Sequence, residues 1–327
     1  MADDPVASFR PGTRADIPAV SRIANAAAVT DDLGITWSAQ WFEHYLADIA
    51  GGRTEAVVTI AEIGGQPVGF GLGHWQGDRE PDGRVLWVRT RVLEPARRDA
   101  IGRGLVERAE DAAVADAARH PVSQMGSVFQ TRLSNTERWA IRIFESIGYG
   151  PVRWAHRMVR PTLEDPPSIE LPAGIEARPV RPEDAIQVLR ALEEAMADEP
   201  LYNPRTEEQI AAVLTDPRDG QIDVWQVAWE GDEVVGGVLG GIDAEENRAL
   251  GRLRGYTESI FTRRPWRGRG IARAMIGRNL RVLRDRGMTE AALLVNADGA
   301  TGALHLYESV GFVPERSEII YQRQVEE

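Results

Sequence analysis

The sequence predicts an α/β protein that contains two copies of one domain, each with a central mixed β-sheet flanked by helices. Its length of 327 residues suits two domains of ordinary size. A strand entry at Arg10 recurs at Arg178, and a helix end at Gly148 recurs at Gly311. A repeat of so long a period does not form a solenoid and indicates tandem domains.

The repeat sets the predicted domain boundaries. Residues 1–161 form the first copy, residues 162–173 a linker and residues 174–327 the second copy. The segment between the copies is rich in proline and polar residues, which is typical of a connection between domains.

Hydrophobic patterns in the second copy give the order of its elements. The predicted elements are strand 175–179, helices ~183–197 and ~206–215, strands ~223–229, ~233–242 and ~252–263, helix ~270–287, strand ~290–296, helix ~302–310 and a terminal strand pair to ~325. Three antiparallel strands followed by strand–helix–strand make a mixed α+β sheet that can part where the strand direction changes. Ligands commonly bind at such a point.

A glycine-rich turn joins the strand at 259–262 to the helix that begins at Ile271. Its sequence is Arg267-Gly268-Arg269-Gly270-Ile271-Ala272. Backbone N–H groups at such a turn, with the helix dipole behind them, form an anion site suited to a pyrophosphate. The spacing fits neither the dinucleotide-binding fingerprint nor a Walker A loop. A tight turn with no ligand is the alternative.

These motifs together resemble the GNAT superfamily of acyl-CoA N-acyltransferases. The residues that match the family's pyrophosphate signature, R/Q-x-x-G-x-G/A, are Arg267, Gly270 and Ala272. The residues that match its later L-Y-x-x-x-G-F motif are Leu306, Tyr307, Gly311 and Phe312. The resemblance is specific over residues 174–327 and weaker over residues 7–160. It implies two tandem GNAT-like domains with splayed sheets, and it extends distantly to mycothiol synthase-like tandem members.

The resemblance also implies two catalytic residues. Glu258 stands where the family has an acid and would take a proton from the attacking amine. A strand-end carboxylate paired with an arginine such as Arg254 is the alternative. Tyr307 would protonate the departing CoA thiolate, and its alternative is a packed helix tyrosine. The family's reaction is direct acetyl transfer to an amine in a ternary complex, so no acyl-enzyme is expected.

The implied co-substrate is acetyl-CoA (coenzyme A), and no metal is expected. The pantetheine arm would pair with Ile260, Phe261 and Thr262, and a backbone N–H near Thr262 would polarise the thioester carbonyl. The residues expected around the pyrophosphate are Arg267, Gly268, Arg269, Gly270, Ile271 and Ala272. An Asn common in the family falls at Ala300 here, and Asn296 or Asp298 would take its place as a cofactor contact.

The first copy differs from the second at the reactive positions. The residues of the first copy that replace Glu258, Arg269, Gly270 and Tyr307 are Val88, Asp99, Ala100 and Phe144. A carboxylate beside a pyrophosphate is unfavourable, so the first copy is interpreted as structural or substrate-shaping. The rival interpretation of the whole chain is a non-catalytic CoA-binding or scaffold protein. Retention of Glu258 and Tyr307 beside an intact loop favours the enzyme.

Composition limits the remaining function classes. The chain is 43% hydrophobic and has no cysteine, which excludes disulfides, thiol catalysis and Cys-metal sites. Its formal net charge of −12 argues against nucleic acid as a partner. The acidic start lacks an apolar signal region, and no apolar stretch is long enough for a membrane span. A cytoplasmic location without membrane attachment is therefore predicted.

Of all the features of the reaction, the identity of the acceptor is the one that the sequence determines least. The resemblance implies a small-molecule or peptide amine, with residues 196–204 as the roof of its pocket. The two acids in that segment would attract a cationic amine, or are simply solvated. Because a GNAT-type sheet tends to pair with a second copy, the chain is expected to be a monomer with an intramolecular pseudo-dimer, or a homodimer.

Overall fold

The protein is described by a computed structural model over residues 6–50, 54–79, 82–93, 96–97, 99–121, 126–197, 202, 204–216, 218–296 and 302–325. The chain divides into two compact units. The first unit comprises Met1–Trp154 and Glu318–Glu327, and the second comprises Ala155–Ser317. The sequence-based boundaries at 161 and 174 describe the repeat and stay a prediction.

Both halves of the chain contain strands and helices, often in short runs of one kind. The first half contains strands β1 (Ala7–Pro11), β2 (Val58–Ile63), β3 (Gln66–Arg79), β4 (Gly83–Val92), β5 (Ser127–Ser134) and β6 (Gly150–Arg160), and helices α1 (Ile17–Thr30), α2 (Ala39–Ala50), α3 (Thr54–Val57), α4 (Asp99–Ala117) and α5 (Arg138–Ser146). The second half contains strands β7 (Glu176–Arg178), β8 (Gln226–Glu230), β9 (Glu233–Val238), β10 (Arg254–Tyr256), β11 (Ile260–Thr262), β12 (Glu290–Asn296) and β13 (Val313–Gln324), and helices α6 (Ala185–Met196), α7 (Glu207–Val213), α8 (Ala244–Leu250), α9 (Ile271–Asp285) and α10 (Ala303–Ser309).

The sheet of the first unit is mixed. Strands β1 to β4 pair in sequence order and antiparallel, and β4 then pairs parallel with β5. The register between β4 and β5 runs from Arg84 opposite Ser127 to Trp87 opposite Gln130. Residues 318–324 of β13 complete the sheet by pairing antiparallel with β5.

The strands of the second unit belong to two sheets, which separate between β10 and β11. Strands β11, β9, β8 and β7 form a four-stranded antiparallel sheet. The preceding segment β10 pairs parallel with β12 instead, and β12 pairs antiparallel with residues 155–160 of β6. Residues 257–259 therefore join two segments that belong to different sheets. This arrangement confirms the predicted mixed, splayed sheet.

Helix α9 carries the apolar core of the second unit because its apolar residues recur every three or four positions. Its residues Ile271, Met275 and Leu280 are fully buried against β8, β9 and β12. Leu163, in the predicted linker, belongs to the same core with 1% exposure. Its N–H donates to the Thr289 carbonyl at 3.0 Å, so this part of the segment is packed in the second unit.

The sequence-based prediction of elements was wrong at three places. The strand expected over 252–263 is two segments, and the expected terminal strand pair is the single strand β13. Helix α8 was not predicted, although Asp243 caps it by accepting from the Glu246 N–H at 2.8 Å. Among the described residues, none of the helices combines the length and apolar character of a membrane span.

Candidate active site

The glycine-rich turn forms an open cradle at the start of α9. Gly268 and Gly270 have φ values of 74° and 80°, which glycine adopts without the steric cost that other residues meet. A Cβ added to either would find no atom within 4 Å. Gly270 is the N-cap and has no side chain to satisfy the first-turn N–H groups. Those groups can therefore bind an anion, and the cradle fits the pyrophosphate of a CoA thioester.

Arg267 holds the cradle in place. Its Nε donates to the Thr262 carbonyl at 3.0 Å, and its Nη2 donates to the Ala195 carbonyl at 2.9 Å. These bonds tie the turn to the end of β11 and to the last turn of α6. The guanidinium thus contacts backbone carbonyls, while Arg269 is exposed on the turn itself.

Strand β11 lies at an edge of its sheet. Among the described residues it pairs with β9 alone, from Ile260 opposite Val238 to Thr262 opposite Gly236. An edge strand presents backbone N–H and C=O groups that an extended ligand can pair with. The amides of a pantetheine arm have the chemistry to do so.

Glu258 lies where the two sheets separate. The chain makes an irregular step there: Ser259 has a φ of 46°, and the Glu258 carbonyl accepts from the Leu239 N–H at 3.1 Å. A non-glycine residue held at a positive φ is strained, and such residues cluster at functional sites. The side chain of Glu258 retains 32% exposure and lines a cleft.

The ion-pair partner of Glu258 comes from a loop that sequence analysis did not single out. The Glu258 carboxylate lies 3.5 Å from the Arg218 guanidinium, whose Nε donates to Asp219 at 2.8 Å. Although a third of the side chain is accessible, desolvation by the surrounding protein raises the pKa of Glu258 above its ordinary value. Arg218 and Arg157 lower this pKa in part, and Asp219 and Glu246 raise it. A carboxylate with a raised pKa is better matched to proton transfer near neutral pH. The alternative partner, Arg254, pairs instead with Glu290 at 2.7 Å and Glu315 at 2.6 Å.

A small cleft of about 30 Å³ lies next to Glu258. Its lining residues are Leu189, Leu192, Arg205, Val213, Asp219, Trp225, Leu239, Glu258 and Ser259. The apolar members belong to a buried cluster between α6 and strands β8 and β9. Arg205, Asp219 and Glu258 are its charged members. Most of the apolar members are almost fully buried, with Trp225 and Leu189 each 1% exposed, so the accessible surface beside Glu258 is mainly polar.

Tyr307 lies beyond the carboxyl end of β12, in α10. Its ring is buried and meets Phe312 edge-on, with ring centroids 6.4 Å apart. Because β10 and β12 run parallel, Glu258 and α10 both follow strand ends at the same edge. The topology thus places Glu258 and the start of α10 at one edge of the sheet. Asn296 is the last residue of β12 and is exposed.

Some predicted positions fall outside the described residues. They include Asp298 and Ala300, and most of the expected acceptor roof over 196–204. The described residues of that roof are Met196, Ala197, Tyr202 and Pro204. The Tyr202 hydroxyl donates to Glu193.

Sequence analysis also missed a buried polar pair behind the site. The Thr257 hydroxyl donates to Oδ1 of Asn279 at 2.9 Å, and neither residue is exposed to solvent. The pair fixes α9 against the strand just before Glu258. A polar residue on the apolar face of a predicted helix was the available signal for Asn279. No pattern marks Arg218, which lies in an irregular loop.

The corresponding positions of the first unit have a different chemistry. Val88 is fully buried within the ten-residue strand β4. Asp99 is the first residue of α4, with its carboxylate 3.5 Å from Arg142. Phe144 is fully buried and meets Tyr149 edge-on at 4.9 Å. These side chains support a structural role for the first unit rather than a catalytic one.

The chain was compared with family models and with known proteins. The model described as the acetyltransferase (GNAT) family matches residues 26–148 and again residues 188–312. The two successive matches agree with the predicted duplication. The described residues include no group of three or more His, Asp or Glu side chains arranged to hold a metal.

Two curated relatives are mycothiol acetyltransferases. The protein of Thermobispora bispora is 31% identical over 193 residues, which is 56% of this chain and 62% of that protein. The protein of Catenulispora acidiphila is 27% identical over 239 residues, which is 71% of this chain and 70% of that protein. The match thus spans less than two thirds of the Thermobispora relative.

Two solved structures share the architecture over nearly the whole chain. A GCN5-related N-acetyltransferase from Sphaerobacter thermophilus superposes with a TM-score of 0.74 and 27% identity, covering 98% of this chain and 96% of that one. A tandem GNAT protein from the clavulanic acid biosynthesis pathway gives a TM-score of 0.67 at 14% identity, covering 98% and 99%. The second likeness concerns the fold alone. Both agree with two tandem domains.

Proposed function

Because the chain belongs to the acetyltransferase (GNAT) family, we propose that its second copy transfers the acetyl group of acetyl-CoA directly to a primary amine in a ternary complex. The assignment as an N-acetyltransferase follows from the family. The residues, the acceptor class and the direct transfer are the proposed part. The observation that carries them is the position of Glu258, which lines the cleft at the point where the sheet parts.

The turn before α9 and the edge of β11 form the proposed acetyl-CoA site. The first-turn N–H groups of α9 hold the pyrophosphate, and Gly268 and Gly270 leave room for it. Ile260, Phe261 and Thr262 offer their backbone groups to the pantetheine arm. Arg267 positions the turn through its two carbonyl contacts. The remaining proposed contacts are Arg269, Ile271, Ala272 and Asn296.

The proposed reaction needs one base and one acid. The carboxylate of Glu258 takes a proton from the acceptor ammonium, directly or through water, and the free amine attacks the thioester carbon. The C–N bond forms, the C–S bond breaks, and the hydroxyl of Tyr307 gives its proton to the departing thiolate. The amide nitrogen releases its second proton to solvent, and solvent returns a proton to Tyr307. A backbone N–H near Thr262 stabilises the negative charge that develops on the carbonyl oxygen.

The first copy takes no part in this chemistry. Val88 and Phe144 offer no ionisable group at the positions of Glu258 and Tyr307, and Asp99 places a negative charge at the start of α4. Its proposed role is to pack the pair of domains, as an intramolecular pseudo-dimer, and to shape the site.

A second candidate acceptor comes from the relatives. Both are named mycothiol acetyltransferase, and a mycothiol precursor would supply a primary amine to the same base. This alternative keeps the reaction and changes only the acceptor.

The test is CoA release from acetyl-CoA across amines, amino acids, peptides and aminoglycosides, with the acetylated product measured by mass spectrometry. We expect one N-acetyl product per CoA released and intersecting initial-rate lines for the two substrates. Acetyl-CoA binding without any amine-dependent turnover would instead indicate a CoA-binding pseudoenzyme. Trapping of an acetylated protein intermediate would contradict direct transfer.

A further inference from the structure

The sheet of the first unit contains a guanidinium without a partner. Arg89, in β4, is half-buried, and its Nε–H is shielded from solvent without a hydrogen-bond partner among the described residues. A shielded charge without a partner costs free energy. An anion bound to the guanidinium would offset this cost.

Arg89 points away from the helix α4. Side chains alternate between the two faces of a strand, and Val88 packs with Val106 and Ala109 of α4. The residue opposite Arg89 on β3 is Leu72, which packs in the cluster formed with α1 and α2. Arg89 therefore lies on the face of the sheet that carries α1 and α2.

Strands β4 and β5 stop pairing beside Arg89. Among the described residues their last pair is Trp87 with Gln130, although both strands continue beyond it. Arg89 lies two residues further along β4, and Arg132 lies two residues further along β5. Both cations therefore lie where the two strands are no longer joined by backbone hydrogen bonds, and an extended or planar ligand can enter such a place.

The charges around Arg89 are mainly positive. Burial lowers the pKa of Arg89 below the ordinary value of an arginine, and Arg91 and Arg132 lower it further. Tyr45 and Glu137 raise this pKa in part. The Glu137 carboxylate, however, already pairs with Arg91 at 2.9 Å. The three guanidinium groups and this one carboxylate together carry two net positive charges.

We propose that the first copy binds a small organic carboxylate at Arg89. A guanidinium presents paired N–H donors that match the two oxygens of a carboxylate. Because Glu137 is nearby and only 3% exposed, a singly charged carboxylate costs less to bury there than a doubly charged phosphate. The equivalent position in the second copy, one residue after Glu258, is Ser259, which lines the cleft. This site lies in the copy that the proposed acetyl transfer does not use, so the inference goes beyond the proposed function.

The test is binding of acetate and benzoate to the full-length chain at constant ionic strength. Acetamide and benzamide are the neutral analogues, and inorganic phosphate is the competing anion. We expect at least one carboxylate to bind saturably by titration calorimetry, at one site per chain, and to raise the melting temperature as its concentration increases. The amides should do neither, and phosphate should bind more weakly than the carboxylate.

Two variants assign the binding to Arg89. Arg89→Met removes the charge and keeps an apolar side chain, so carboxylate affinity should fall about tenfold or more. Without ligand this variant should unfold at a higher temperature than the unchanged protein, because an unpaired charge has been removed. Arg89→Lys keeps the charge without the paired donors and should bind with intermediate affinity. Arg142→Met is the matched control, because Arg142 is an exposed arginine of the same unit, and it should bind as the unchanged protein does.

The outcomes decide the proposal independently of acetyl transfer. Carboxylate binding that survives in Arg89→Met overturns it, and so does the absence of saturable binding by either carboxylate. Phosphate binding at Arg89 that is tighter than carboxylate binding overturns the assigned ligand class. A lower melting temperature of ligand-free Arg89→Met contradicts the argument that the charge is unpaired. Acetyl-CoA-dependent turnover, which is proposed to depend on Glu258 and Tyr307, is measured separately and tests only the proposed function.

Discussion

In the second unit the Oε2 atom of Glu258 lies 3.5 Å from the Nη2 atom of Arg218. The arginine comes from an irregular loop, and the glutamate comes from the step between β10 and β11. Arg218 also donates to Asp219 and lies over the ring of Tyr256, with its Cζ 5.3 Å from the ring centroid. The proposed base therefore forms an ion pair with a residue that is distant in the sequence.

We expect Arg218→Gln to raise the pKa of Glu258 further. The change removes the opposite charge that lowers this pKa, while the burial that raises it remains. The acid limb of the kcat/KM profile should move to higher pH. Arg286→Gln breaks an exposed pair with Asp223 and should leave the limb in place. An unshifted limb in Arg218→Gln would show that Glu258 does not set it.

Glu258→Gln should remove that acid limb and lower kcat by roughly 10²–10⁴-fold, the range for loss of a general base. In the unchanged protein, kcat/KM should fall as the pH drops through a pKa higher than that of an ordinary glutamate, because the protonated carboxyl cannot accept a proton. The pH dependence of kcat/KM for both proteins provides the measurement. Near-normal turnover of Glu258→Gln would assign the base to another group.

Glu258→Gln should lower the activity but raise the thermal stability at neutral pH. A carboxyl whose pKa is raised by folding binds more protons in the folded state, so its contribution is complete below the unfolded pKa and is lost as the pH rises through the folded pKa. Glu258→Gln should therefore unfold at a higher temperature than the unchanged protein at neutral pH. The difference should vanish at a pH below the ordinary pKa of glutamate. Thermal unfolding across pH tests this, and a lower melting temperature for Glu258→Gln at neutral pH would contradict it.

Tyr307→Phe should lower kcat by roughly 10²–10⁴-fold and leave acetyl-CoA affinity nearly unchanged. The substitution removes the proposed proton donor and keeps the ring that packs against Phe312. Tyr321→Phe removes a hydroxyl that donates to Glu145 in the first unit and should retain turnover. Normal kcat in Tyr307→Phe would indicate that water protonates the thiolate.

Long periodic elements were predictable from the sequence, and the site's fine geometry was not. The repeat in the apolar face of α9 and the continuous apolar run of β12 predicted both elements within two residues. The break at 257–259 arises because the segments before and after it pair with different strands. The hydrophobic pattern of residues 252–263 carries no information about those partners. The Arg218–Glu258 pair likewise depends on a loop path without periodicity. Helix α8 had a local signal in Asp243 and Gly251, but its seven residues are too few to show a helical period.

Residues 174–327 alone should be poorly soluble. Strand β12 pairs along Ala291–Asn296 with residues 155–160, and that fragment lacks them, so an edge of its sheet is left open to aggregation. A fragment 155–327 restores this partner and should be more soluble. Residues 318–324, which pair with β5, lack their partner in both. Sedimentation and circular dichroism of the two fragments provide the comparison. Equal solubility would contradict this argument, and full activity of 174–327 would show that the first copy is dispensable.

The central claim is that acetyl-CoA binds and reacts at the turn before α9, in the second copy. Gly270→Asp places a carboxylate where the pyrophosphate is proposed to lie, and Ala100→Asp makes the equivalent change in the first copy. Gly287→Asp is the control for backbone effects, because Gly287 also has a positive φ of 83° and open space around it.

The direct measurement is titration calorimetry of acetyl-CoA with these three variants, joined to amine-dependent CoA release. We expect one site per chain in the unchanged protein, with binding and turnover lost in Gly270→Asp and retained in Ala100→Asp and Gly287→Asp. Retention of binding and turnover in Gly270→Asp, together with their loss in Ala100→Asp, would place the active site in the first copy and contradict the account.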